Sequence, residues 1–144
     1  MSNFNRFMKE NKIKKENKGY VATQSLVDEN GNPLVWMFKP ISTAQNEIIR
    51  ESCMEQNITI KNKKDIAMPK FNSSKYMAKL VCASCVEPNL NDKELQDSYG
   101  VMTPEDLIQE IIDSPGEYSD LCEFVQELSG FDVKLDDKVE EAKN

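Results

Sequence analysis

The sequence contains no histidine. That removes the Ser-His-Asp triad, the Cys-His pair and every histidine-bearing zinc site. Glycine is scarce, 5 residues in scattered positions, and no glycine-rich phosphate loop is among them. No apolar run approaches the roughly 18 residues a helix needs to cross a bilayer. The basic N-terminus (Arg6, Lys9, Lys12, Lys14, Lys15, Lys18) lacks the apolar centre of a signal peptide. The expectation is therefore a non-enzymatic protein of the cytoplasm with no cofactor, no bound metal and no membrane contact.

What is present is a 144-residue chain, 39% apolar and 30% charged. This length is enough for one domain that buries about 70% of its unfolded surface. The net charge of −7 is unevenly spread. Residues 1–86 carry 14 basic and 8 acidic side chains; residues 87–144 carry 4 basic and 17 acidic. A split of this kind steers association with a partner or between copies of one chain. A net acidic chain is poorly matched to nucleic acid, where binding needs cations against phosphate.

Along the chain, Phe4, Phe7 and Met8 have the spacing of one apolar face of a short helix, and Lys9 to Lys18 reads as a solvated linker. Residues 19–27 and 34–41 read as two strands. Asn30-Gly31 lies between them and supplies the positive φ of a hairpin turn. Ser42 and Gln45 have capping-box spacing, and Ala44, Ile48, Ile49 and Cys53 fall on one face of the helix that follows. Ile58-Thr59-Ile60 reads as a short strand, Lys61 to Lys64 as a basic loop, and Pro69 as a break.

A second helix starts near Asn72 with Tyr76, Met77, Leu80, Val81 and Ser84 inward. A short helix over 92–99 ends at Gly100. Thr103-Pro104 opens a helix whose core face is Leu107, Ile108, Ile111 and Ile112. Ser114-Pro115-Gly116-Glu117 repeats the device, with serine as cap and glutamate completing the box. Tyr118, Leu121, Cys122, Val125 and Leu128 form the stripe of that last helix, and Gly130 closes it. The short connection predicts that these two helices pack on each other.

The fold class is thus α+β: a mostly helical domain with an N-terminal antiparallel hairpin. Residues 1–131 form the domain, with 1–18 as a leader, and 132–144 form a mobile acidic tail. The four cysteines, Cys53, Cys82, Cys85 and Cys122, sit among apolar neighbours and read as small buried hydrophobes. The Cys82-Ala83-Ser84-Cys85 spacing leaves a thiol oxidoreductase as a rival, one that demands an exposed, low-pKa thiol. An acidic nucleic-acid mimic is a weaker rival, opposed by the basic first half.

An ordered series of small motifs carries a resemblance over almost the whole chain. It runs through the Asp28-Glu29-Asn30-Gly31 turn and Phe38-Lys39-Pro40-Ile41-Ser42. It continues with Pro88-Asn89-Leu90, Glu94-Leu95, Tyr99-Gly100-Val101 and Pro104-Glu105-Asp106-Leu107. Gly116-Glu117-Tyr118 and Glu127-Leu128-Ser129-Gly130-Phe131 complete it. In these the chain resembles the XkdN-like family of phage tail assembly chaperones. The resemblance implies a protein that binds the tape measure protein, keeps it soluble and assists tail tube assembly in the bacterial cytoplasm. It implies the tail tube protein and a frameshifted longer form of the chain itself as further partners, and homo-oligomerisation fits the same role. A structural accessory protein retained in the tail or baseplate is the alternative. The helices at 104–129 are the expected source of an apolar client groove, with Leu107, Ile108, Ile111, Tyr118, Leu121, Val125 and Phe131 as its candidate contacts.

Overall fold

The computed structural model describes residues 3–61 and 64–131. In chain order the elements are β1 (Lys18–Tyr20), β2 (Trp36–Phe38), α1 (Thr43–Ser52), β3 (Met54–Lys61) and β4 (Lys64–Phe71). They continue with α2 (Ser73–Ser84), β5 (Cys85–Glu87), α3 (Lys93–Ser98), α4 (Pro104–Ile111) and α5 (Pro115–Leu128). The α+β class stands. A three-stranded antiparallel sheet, ordered β1-β2-β5, lies beside helices, and β3-β4 forms a separate two-stranded hairpin. The acidic tail at 132–144 lies outside the described residues.

Helix α2 is the hub. Its Leu80 and Val81 are fully buried, and α1, α4, α5 and β5 all pack against it. Helices α4 and α5 therefore meet principally through α2, not chiefly through each other as the short link between them predicts. Against this helical layer β2 presents Trp36 and Phe38, both buried, and Leu107, Ile108, Leu121 and Val125 close the core. Tyr20 stacks on Phe124 at 4.1 Å between centroids. Buried Ser84 ties helix to sheet: its Oγ donates to the Lys39 carbonyl at 2.7 Å, and the Lys39 N–H donates to the Ser84 carbonyl at 2.8 Å.

The local caps form as their chemistry dictates. Ser42 and Gln45 make a reciprocal capping box; Asn72, Asp92 and Thr103 each accept a backbone N–H two or three residues into their helices. Gly31, Gly100 and Gly130 take positive φ where chain reversals require it.

Four further expectations change. First, the hairpin turn at 28–32 forms, with Asp28 Oδ1 accepting from the N–H groups of Asn30 and Asn32, but the ladder beyond it is short. Only Val27↔Pro33 bridges before the chain opens, and regular pairing resumes at Tyr20↔Trp36. Residues 21–26 leave the sheet because α5 takes them: the Thr23 hydroxyl and the Gln24 N–H both donate to the Glu117 carboxylate at 2.8 Å.

Second, Ser114 makes no side-chain cap, and the Glu117 carboxylate that would complete the box serves that distant clamp instead. Third, Pro69 lies inside β4, opposite Gln56. In a two-stranded sheet both strands are edges, where a missing N–H is tolerated. Fourth, α1 buries none of its residues, and Ile48 faces solvent. The helix is held to α2 through half-buried Ile49 and a hydrogen bond from the Tyr76 hydroxyl to Asn46.

The Glu117 clamp supplements the buried Ala22 and the core-packed Leu26 in holding the 21–26 segment. Glu117→Ala is expected to lower stability by about 1.5–3 kcal/mol, the range for hydrogen bonds to a charged group. Urea titration compared with Glu117→Gln, which keeps one acceptor, measures it.

Candidate protein-binding site

Five of the seven contacts expected from the sequence belong to the core. Leu107, Ile108, Leu121 and Val125 are fully buried and Ile111 is 5% exposed. Leu107, Ile108, Leu121 and Val125 hold the helices together and offer no surface in the folded chain. Tyr118 is half-buried beside a recess lined by Met77, Gln109 and Cys122. Burial, with Cys122 next to it, pushes its phenol up to about 12. Phe131 remains partly exposed after α5.

A second, more enclosed apolar recess lies elsewhere. A groove of about 300 Å³ runs between the 26–35 loop and α3. Leu26, Leu34 and Val35 form one wall, Leu95 and Tyr99 the other, and Trp36 and Ile111 the floor. Each part has a local reason to be there. Trp36 and Phe38 point inward from β2, so Val35 and Met37 point outward. Gly19 on β1 leaves room for them: a Cβ there would come within 2.9 Å of Val35 Cγ1 and 3.5 Å of Met37 Sδ. Leu95 and Tyr99 stand one above the other at i, i+4 on α3. The far end of the groove is closed by Glu87-Pro88, a cis peptide following β5.

The surround is apolar where it touches the groove and acidic beyond it. Val35 is 63% exposed, and Val27, Leu34 and Val86 are also exposed. The segments that form the groove carry Asp28, Glu29, Glu87, Asp92, Glu94 and Asp97 against Lys93 alone. An apolar floor rimmed by charge is a composition found at protein-binding sites. Of the expected contacts, Ile111 does reach the groove. The signal that sequence reading lacked was the outward member of the Leu34-Val35-Trp36-Met37-Phe38 run, which strand alternation leaves without a core to enter.

The thiols are built as structure. Cys53 and Cys122 are buried; Cys82 lies in α2 and Cys85 opens β5, so the CxxC spans a helix end. The Cys85 thiol donates to the Pro88 carbonyl at 3.3 Å. Burial pushes Cys85 up to about 12, and burial with Glu105 nearby does the same for Cys82. Thiols with pKa raised in the folded state favour folding while neutral and oppose it once the unfolded chain ionises. Stability is therefore expected to be flat below pH 9 and to fall above it, by up to about 1.4 kcal/mol per pH unit for each thiol. Denaturant midpoints from pH 7 to 11, compared with Cys82→Ser/Cys85→Ser, check the slope. At neutral pH these two cysteines should label only when the chain unfolds.

Residues 4–143 match the family described as phage XkdN-like tail assembly chaperone protein. Two proteins of Bacillus subtilis strain 168 align over 139 residues, 96% of this chain and 91% of each relative. The phage-like element PBSX protein XkdN is 28% identical, and the uncharacterised protein YqbN 30%. The crystal structure of YqbN superposes with a TM-score of 0.74 at 21% identity, covering 92% of this chain and 99% of that one.

Proposed function

The chain belongs to the phage XkdN-like tail assembly chaperone family, and from that premise we propose that it binds the tape measure protein and keeps it soluble while the tail tube assembles around it. The observation that carries this reading is the groove. A chaperone for long amphipathic helices must cover an apolar stripe reversibly, and a helix-in-groove contact does this through a few anchoring side chains. A volume of about 300 Å³ accepts such anchors. The exposed Leu34 and Val35 supply the apolar wall, and the acidic surround favours client segments with basic flanks.

Besides its apolar lining the groove holds one carboxylate, Glu87, and one phenol, Tyr99. Among the described residues no helix is long and apolar enough to cross a membrane. The host cytoplasm, where tails are built, is the proposed site of action. The test is co-expression with the tape measure protein of the same tail gene cluster. The expected result is a soluble complex of defined ratio that is absent from purified finished particles. An insoluble, unbound tape measure beside a folded chain would sink the reading. Recovery of the chain in finished particles would instead favour a structural accessory role.

A further inference from the structure

Among the described residues the N-terminal leader carries several of the most exposed apolar side chains. Phe4–Phe7 and Lys9–Asn11 are short 3-10 turns separated by an extended Met8, so the expected single helical face is broken in two. Phe4 is 72% exposed, Phe7 86% and Ile13 91%. Residues 3–18 carry six basic side chains against two acidic ones. The groove has the complementary character: apolar walls in an acidic surround.

The chain's own geometry separates the two. Lys18 pairs with Phe38 and Tyr20 with Trp36, so the leader leaves the sheet at the Phe38 end, while the groove opens at the Trp36 end. Upstream, Lys18 Nζ sits 5.8 Å over the Phe124 ring, and Lys15 Nζ lies 3.9 Å from where a Cβ of Gly130 would stand. The leader thus runs past the C-terminal end of α5, away from the groove of its own copy.

We infer that the leader of one copy docks in the groove of a second copy, Phe4 and Phe7 entering between the 26–35 loop and α3. The occupant is the leader and not the 132–144 stretch, because that stretch has five acidic and three basic residues and meets the acidic surround with like charge. The contact is head-to-tail, so it does not close on a pair: a bound copy still presents a free groove at one end and a free leader at the other. The groove is the one assigned above to the client, so self-association and client occupancy compete for it.

Sedimentation equilibrium of the full chain without any client reads this alone. The weight-average mass is expected to climb beyond twice 16.5 kDa as concentration rises from about 10 μM to about 1 mM, the range of a weak contact. Raising the salt should weaken it about tenfold. Phe4→Ser/Phe7→Ser removes the leader's anchors and Val35→Asp spoils the groove; each alone should stay at the mass of one copy. Mixing the two variants leaves one intact leader and one intact groove, so the mixture should form a pair and stop there. Glu87→Lys serves as the groove variant if Val35→Asp alters the circular dichroism. A wild-type chain that remains a single copy throughout, variants that associate like the wild type, or a mixture that fails to pair would each overturn the inference. A client-binding failure in co-expression would leave these readings untouched.

Discussion

Phe38→Ala is expected to bring the chain close to unfolding. Phe38 is fully buried at the centre of an aromatic cluster: edge-on to Tyr20 at 6.3 Å and to Phe124 at 5.6 Å, and near-parallel to Trp36 at 6.3 Å. Truncating a buried phenylalanine costs about 3–5 kcal/mol in lost transfer energy and cavity. Each aromatic pair adds about 0.5–1.5 kcal/mol beyond area. The total stability of a domain is about 5–15 kcal/mol. The loss is therefore comparable to everything that holds the fold. With a urea slope of about 1–3 kcal/mol per M, the midpoint should drop by more than about 1.5 M, or the transition should vanish. Trp36, the single tryptophan, reports it directly. Phe38→Leu, which refills much of the space, should recover over half of the loss. A midpoint shift under about 0.5 M for the alanine would mean that β2 is not what fastens the sheet to the helices.

This cluster also marks where sequence reading stops. The caps at Ser42, Asn72, Asp92 and Thr103 are legible because donor and acceptor lie within three residues of each other. The 28–32 turn and Gly100 are legible for the same reason. The helical stripes of α2, α4 and α5 follow from periodicity, and Leu80, Leu107, Leu121 and Val125 are buried as their spacing requires.

What was hidden depends on partners far along the chain. Glu117 looks like a helix-capping glutamate, yet its carboxylate serves Thr23 and Gln24, 94 and 93 residues away. That contact takes the Glu117 side chain away from the capping box and holds Thr23 and Gln24 at α5, outside the first strand. The α1 face is covered only at Ile49 and the buried cap residue Cys53, because an apolar repeat says which residues agree with one another, not whether a neighbour covers each of them. The β3-β4 hairpin lost its second strand to Pro69, a breaker in a central strand but not at an edge. The expected client contacts fell on the core because a helical stripe looks the same whether it faces a partner or the interior. The groove was invisible for the complementary reason: its walls come from a loop near residue 30 and a helix near residue 95, which no local pattern joins.

That distinction sets up the second large effect. Val35→Asp should abolish co-purification of the tape measure protein, a loss of about a hundredfold or more in affinity, while leaving the fold in place. Val35 is mostly exposed in the free chain, and substituting an exposed residue away from caps and core shifts stability by about 0.5 kcal/mol. Once a client helix covers the groove, the same carboxylate is desolvated among Leu34, Leu95 and Tyr99 with no cation among the groove-lining residues. A residue central to a desolvated patch costs about 2–4 kcal/mol when disrupted, and a charge there belongs at the upper end. Ile108→Asp is the instructive opposite. It introduces the same group at a fully buried position, so it should lose client binding only by losing the fold, and circular dichroism would show it. The pair separates surface from core by one readout each. If Val35→Asp retains the client at wild-type ratio while folded, the client does not sit between the 26–35 loop and α3. Other exposed apolar candidates would then include Ile48 on α1, Met102 before α4 and Phe131 after α5. If Val35→Asp releases the client and keeps its melting transition, the apolar wall that the Gly19 gap leaves outside the sheet is the binding surface.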